Sequence, residues 1–249
     1  MPLVVDGMAL EHRWFDPPEV EGDPPLVLLH EGLGSLSAWR DFPAALAAAT
    51  GRRVFVYSRP GYGHSPPLPP PWPLDFMERE AKRLPKVIEQ VGLERAILVG
   101  HSDGASIALL AADAARFPRL ILLAPHVFVE DLTVASIAAA AQDYQSGDLR
   151  VRLAKHHQDV DATFLGWSGA WLDPGFRSWN IQRCLPKVSV PTLVIQGQDD
   201  RYGTLAQVEA VREGSGGPVR EAILAACGHS PHREQRAATL SAIQAFLRP

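Results

Sequence analysis

Ser102 stands at the centre of the pentapeptide Gly100-His101-Ser102-Asp103-Gly104, between the apolar run AILVG and a helix-forming run, ASIALL. A serine between two glycines at this spacing, where a strand passes directly into a helix, is the pattern of a nucleophile elbow. The turn forces strained backbone angles on the serine, and the flanking glycines let strand and helix approach closely. A serine hydroxyl is a poor nucleophile until a base removes its proton, and the base needs an acid to orient it. The expected chain order after such an elbow is Asp or Glu, then His. Asp200 lies three residues beyond Gly197 in IQGQDDRYGT, and His229 follows a glycine in CGHSPHREQ. Asp199 and His232 are the local rivals. Spacing from Gly197 favours Asp200, and His232 falls in the first turn of the following helix.

These residues need rigid elements to hold them. Short apolar runs recur at LVLLH (26–30), RVFVYS (53–58), AILVG (96–100), LILLAP (120–125), TLVIQG (192–197) and REAILAA (220–226). Helix-like segments separate them over 39–50, 76–91, 102–116, 205–213 and 232–247, with Pro85 inside the second. Near-continuous apolar strands alternating with helices predict a mostly parallel α/β sheet covered on both faces. Ser102, Asp200 and His229 then all fall at carboxyl ends of strands, where open α/β sheets bind their ligands. The opening segment, residues 4–15, reads as an antiparallel edge hairpin, and the Pro-rich PPLPPPWP (66–73) as a stiff connector. Between LILLAP and TLVIQG lie about 60 residues with no convincing strand. A stretch of that length in a compact domain is expected to carry structure of its own, here a helical cap over one end of the sheet. The resulting division is a core of 1–129 and 187–249 with a cap of 130–186.

The bulk properties exclude several functions. The 249 residues are 46% hydrophobic and 21% charged, as in a soluble domain with a real core, and the net charge is −4 with no long basic run. Nucleic acid and anionic membrane are therefore not the expected partners; a small-molecule substrate is. Cys184 and Cys227 are too few for a disulfide framework and lack metal-ligand spacing, so both read as reduced thiols. The first residues lack the pattern of a signal peptide, and no apolar run approaches the ~18 residues of a membrane span, so a cytoplasmic location is expected. No metal and no cofactor is called for: no Gly-rich dinucleotide fingerprint follows a strand, and no His/Cys cluster occurs.

The segments LLHEGLGS, YSRPGYGHS, GHSDGAS, IQGQDDRYGT and CGHSPHREQ together resemble the α/β-hydrolase superfamily, in its branch of small bacterial hydrolases with a helical cap. They reach from about residue 26 to the last helix. The resemblance implies an eight-stranded sheet with the cap inserted after the sixth strand. It also implies a Ser102–Asp200–His229 triad and an oxyanion hole made of two backbone N–H groups. One belongs to Asp103, after the nucleophile. The other comes from the loop after LVLLH, which in relatives begins His-Gly-x; the donor x maps onto Gly32. Relatives that open epoxides or displace halide carry Asp at the elbow, so Ser102 points to an acyl-enzyme and to ester, thioester, lactone or amide hydrolysis. Carbon–carbon bond hydrolases of aromatic-degradation products share the serine arrangement. A ligand receptor of the same fold is the non-catalytic alternative; such a protein could tolerate loss of the aspartate or histidine, and this chain retains both.

Two carboxylates depart from that pattern. Glu31 replaces the glycine after His30, and Asp103 follows the nucleophile. A carboxylate facing a developing oxyanion would raise the barrier, so both side chains must turn away or be paired. Arg59, after the neighbouring strand, is the expected partner of Glu31. That pairing would brace the loop, whereas a Glu31 that contacts substrate or positions the hydrolytic water is the alternative. In the cap, Phe164, Trp167, Trp171, Phe176 and Trp179 concentrate aromatic area. Phe164, Trp167, Trp171 and Trp179 are the expected apolar lining of the substrate pocket, with His126 and Tyr202 as polar contacts.

Overall fold

Five apolar runs, Leu26–Leu29 (β4), Val54–Tyr57 (β5), Ile97–His101 (β6), Leu120–Leu123 (β7) and Thr192–Gly197 (β8), are buried at every residue. A strand with no solvent-facing side belongs inside a sheet covered by helices on both faces. The computed structural model, which describes residues 2–248, shows that sheet with strand order β3-β5-β4-β6-β7-β8-β9. Here β3 is His12–Phe15, antiparallel on β5, and β9 is Val219–Leu224, the far edge; all other pairings are parallel. Side chains alternate across the pleat. Val27, Leu29, Leu98 and Leu122 enter one core with Phe76–Gln90 (α2) and Asp103–Leu110 (α3). Leu26, Leu28, Val99 and Leu123 enter the other with Phe42–Thr50 (α1) and Arg236–Leu247 (α9).

The main sheet has seven strands rather than the expected eight. Leu3–Val5 (β1) and Met8–Leu10 (β2) pair only with each other, and only β3 continues onto the sheet. Asp6 and Gly7 both have positive φ, which closes the hairpin tightly. Its apolar side chains Leu3, Val5 and Leu10 share a core with Leu84, Val87 and Ile88 of α2, so the hairpin covers a helix flank instead of extending the edge. The helical segment accordingly follows the seventh strand of the chain, the fifth of the main sheet, and not the sixth. It contains Asp131–Ser146 (α4), Leu149–Leu153 (α5) and Val160–Leu172 (α6) and adds no strand to the sheet, apart from one isolated bridge between Phe128 and Asn180.

Two helices are shorter than their patterns suggest. α3 stops at Leu110 because Asp113 starts a turn of its own, its side chain accepting from Ala115 N and its carbonyl from Phe117 N. The C-terminal helix splits into Pro231–Glu234 (α8) and α9 at Gln235, whose side chain donates to the Ala225 and Ala226 carbonyls. The remaining helix, Leu205–Gly214 (α7), is capped by Thr204 Oγ1 accepting from Ala206 N.

Candidate active site

The elbow is built by close approach. Ser102 sits at φ 53°, ψ −119°, between β6 and α3. A Cβ at Gly100 would overlap the Gly104 carbonyl, and one at Gly104 would overlap the Leu29 carbonyl. No side chain fits at either position, so the strained serine is held between two obligate glycines and anchored by its N–H donating to Leu123 O at 2.9 Å.

From Ser102 Oγ a hydrogen-bonded row runs outward. It meets His229 Nε2 at 2.9 Å, and His229 Nδ1 faces Asp200 Oδ2 at 2.8 Å and Oδ1 at 3.0 Å. The carboxylate also accepts from Tyr202 N at 2.7 Å and from Gln196 Nε2 at 2.7 Å. Burial by itself would raise the Asp200 pKa; the bonds from His229 and Tyr202 outweigh it and hold the carboxyl below its ordinary value. A carboxylate that can only accept fixes the proton of His229 on Nδ1, which leaves Nε2 free to accept the Ser102 hydroxyl. The rivals stand elsewhere. Asp199 donates its backbone N–H to Cys227 O, and the buried His232 ring packs against Trp39 and Phe42.

The loop after β4 is a tight turn closed by Gly34 N donating to Glu31 O at 3.1 Å. Such a turn leaves the N–H groups of its central residues, Gly32 and Leu33, unused. Asp103 is the first residue of α3, so its N–H has no intrahelical acceptor either. A Cβ at Gly32 would overlap the indole nitrogen of Trp167, which donates to Asp103 Oδ2 at 3.2 Å. Gly32→Ala is therefore expected to displace the turn and the indole together. A fall in kcat of about 10²-fold, read with an activated ester, is the size expected when one such donor shifts away.

Both departing carboxylates are accounted for, one of them against expectation. Arg59 does not pair with the Glu31 carboxylate. It is fully buried and donates Nη1 to the His30 carbonyl and Nη2 to the Glu31 carbonyl at 3.0 Å, so it holds the turn by its backbone and not by the carboxylate. The Glu31 carboxylate instead meets His101 Nδ1 at 2.6 Å. His30 braces the turn from below, with Nδ1 2.7 Å from Glu31 O and Nε2 accepting from Arg59 N at 3.1 Å. One donor and one acceptor define a neutral ring, and burial pushes its pKa far down. Burial pushes the Asp103 carboxyl up to about 6, against the pull of the Arg59 guanidinium.

A cavity of about 290 Å³ opens over Ser102, walled by Trp167 and Trp171 of α6, with Glu31, His126 and Tyr202 also on its lining. Phe164 and Trp179 do not line it, a correction to the expected aromatic pocket. Phe164 stacks flat on Tyr144, with ring centroids 3.8 Å apart. Trp179 packs against Phe176 and Trp171 and donates Nε1 to Glu78 at 3.1 Å. Four apolar-side positions went unread in the sequence: Thr133 and Ile137 on α4, and Leu149 and Leu153 on α5. Each pair is spaced i, i+4 and so shares a helix face, a signal available in principle. His126 is buried with Nδ1 unpartnered among the described residues, and burial lowers its pKa to about 3, so the ring that faces the cavity is neutral. No group of three His, Cys, Asp or Glu is arranged to hold a metal ion among the described residues, and no helix there is long and apolar enough to cross a membrane.

A mostly parallel sheet carrying a serine elbow after its central strand defines the α/β-hydrolase class. Residues 26–242 match the alpha/beta hydrolase family, and the chain belongs to it. Among curated proteins it is 30% identical to the human serine hydrolase BPHL, over 80% of this chain and 69% of that one. It is 25% identical to the bifunctional esterase/perhydrolase DCH of Acinetobacter calcoaceticus, over 79% and 80%. Among crystal structures, the enol-lactonase from Burkholderia xenovorans LB400 superposes with a TM-score of 0.74 at 23% identity, covering 98% of each chain. At that identity the likeness speaks for the fold.

Proposed function

We propose that the protein is a serine hydrolase that cleaves a small carboxylic ester, with thioester or lactone as close variants, through an acyl-enzyme on Ser102. The observation that carries this reading is the unbroken row Ser102 Oγ–His229 Nε2–Asp200, ending beside two unused N–H groups. Ser102 Oγ attacks the ester carbonyl carbon while His229 Nε2 takes the hydroxyl proton, and Asp200 stabilises the imidazolium that forms. The carbonyl electron pair moves onto oxygen, where the Gly32 and Asp103 N–H groups receive it. Collapse breaks the bond to the alcohol, which leaves with the proton from Nε2. Water, deprotonated by the same nitrogen, then attacks the acyl-Ser102 ester and releases the carboxylic acid.

We read residues 130–186 as a cap that shapes the substrate. The cavity is small for a ligand site, and Ile137, Leu149, Leu153, Trp167 and Trp171 make much of its wall apolar. That supports a preference for a modest apolar or aromatic acyl or alcohol group over a long chain. The names of the relatives, a serine hydrolase and an esterase/perhydrolase, support the ester-hydrolase reading.

A fluorophosphonate probe is expected to label the wild-type protein at Ser102, and the Ser102→Ala variant not at all, read by intact-protein mass and peptide mapping. Folded wild-type protein that takes up no probe and turns over no activated ester would overturn the reading. A panel of p-nitrophenyl esters, acyl-CoAs, lactones and dienoates then ranks the substrate classes, the dienoates testing carbon–carbon bond hydrolysis.

A further inference from the structure

The ring of His101, the residue before the nucleophile, is engaged at both nitrogens. Nδ1 lies 2.6 Å from Glu31 Oε2, and Nε2 lies 2.7 Å from the backbone carbonyl of His229. A carbonyl oxygen only accepts, and so does an ionised carboxylate. With Glu31 ionised, both bonds form only if both ring nitrogens carry hydrogen. The Glu31 side chain is 32% exposed and lines the cavity, while the His101 ring is 1% exposed.

The three parts joined by this ring are those the reaction needs held in register. Glu31 directly precedes Gly32, His101 directly precedes Ser102, and the third partner is the carbonyl of His229 itself. We propose that His101 is a buried imidazolium clamp, charge-paired with Glu31, and that the two are positioning residues that fix the Gly32 turn and the His229 loop relative to Ser102. This rests on the hydrolytic reading above. Neither residue reacts. The clamp sets the distance between the oxyanion donors and the base, where errors of about 1 Å can cost 10²-fold in rate.

The groups facing the ring agree with a single buried cation. Glu31 comes from the β4–α1 turn, Asp200 from beyond β8, His229 from the β9–α8 loop and His232 from α8. The His229 and His232 ring centroids lie 5.2 and 4.9 Å away. His232 is kept neutral by burial and by the neighbouring His101 charge. For His101, burial opposes the charge, and Glu31 with the His229 carbonyl outweighs it, so its pKa is raised above 6.5. Burial likewise opposes ionisation of Glu31, and His101 outweighs it, so that pKa is lowered below 4.5. A raised histidine contributes its stabilisation in full below pH 6.5 and loses it as pH climbs through the folded value. A lowered carboxyl contributes above pH 4.5 and loses it as pH falls through its folded value. The clamp is therefore lost as pH climbs through the raised His101 value and as it falls through the lowered Glu31 value.

Two measurements test this. In histidine-labelled wild-type protein at pH 7, the His101 ring, assigned by its loss in His101→Gln, is expected to show two protonated nitrogens by ¹⁵N NMR. A neutral ring, with the proton on Glu31, would overturn the proposal. This readout does not need turnover, so it stands even where fluorophosphonate labelling fails and sinks the hydrolytic reading. Glu31→Gln keeps an acceptor for Nδ1 and removes the charge. It is expected to move the fall in kcat at rising pH about one pH unit lower, a loss of up to about tenfold on that limb, with KM changing less than kcat. A Glu31→Gln profile that overlays the wild type would overturn the positioning role.

Discussion

Ser102→Ala is expected to lower kcat toward an activated ester by about 10⁶-fold, the loss seen when a triad nucleophile is removed alone. KM should move much less, because the cavity wall of Trp167, Trp171 and Ile137 does not involve the hydroxyl. Stability is also informative here. Ser102 is held at φ 53°, a strained angle for any residue with a Cβ, and alanine inherits that strain without contributing the bond to His229. The variant should therefore still fold, with a Tm lower by about 2–4 °C for one lost hydrogen bond, while turning over nothing measurable. Turnover that survives within tenfold of the wild type would mean the nucleophile is another group.

Asp200→Asn is expected to cost about 10⁴-fold in kcat, through the proton on His229 rather than through lost packing. The aspartate oxygens accept from three donors: His229 Nδ1, Tyr202 N and Gln196 Nε2. An asparagine has only one acceptor oxygen. Placed toward Tyr202, it turns its NH₂ group to the Gln196 amide and to His229 Nδ1. His229 then carries its proton on Nε2, where it can no longer accept from Ser102. Flipped, the NH₂ group meets the Tyr202 N–H instead, so a donor faces a donor in either orientation. The rate of fluorophosphonate labelling should fall alongside kcat, since both require the same proton removal. Retained labelling with lost turnover would place the defect in deacylation and contradict this account.

The pieces visible in the sequence are those set by short-range chemistry. The runs LVLL, VFVY and TLVIQG form strands where their apolar pattern places them, because continuous apolar residues leave a strand no solvent face. The elbow is legible for the same reason: two glycines and a serine specify a turn within five residues. Less legible was residues 4–15, where a positive-φ Asp-Gly pair turned one expected edge hairpin into a separate two-stranded sheet plus a single edge strand. Aromatic content alone could not say which rings meet the cavity. On α6, Phe164 turns toward Tyr144 of α4, and Trp167 and Trp171 turn toward Ser102, a choice made by the neighbours of each helix face.

Glu31 shows where local reasoning stops. The sequence by itself determined that a carboxylate follows His30 in a turn after an apolar strand, and that it must turn away or find a cation. β4 lies between β5 and β6, so Arg59 after one neighbour and His101 at the end of the other were both within reach. The register that pairs Leu29 with Gly100 brings the ends of β4 and β6 level. The guanidinium on the other side is already committed to the His30 and Glu31 carbonyls. Which partner a side chain takes across 70 residues depends on strand order and register together, and those exist only once the sheet has formed.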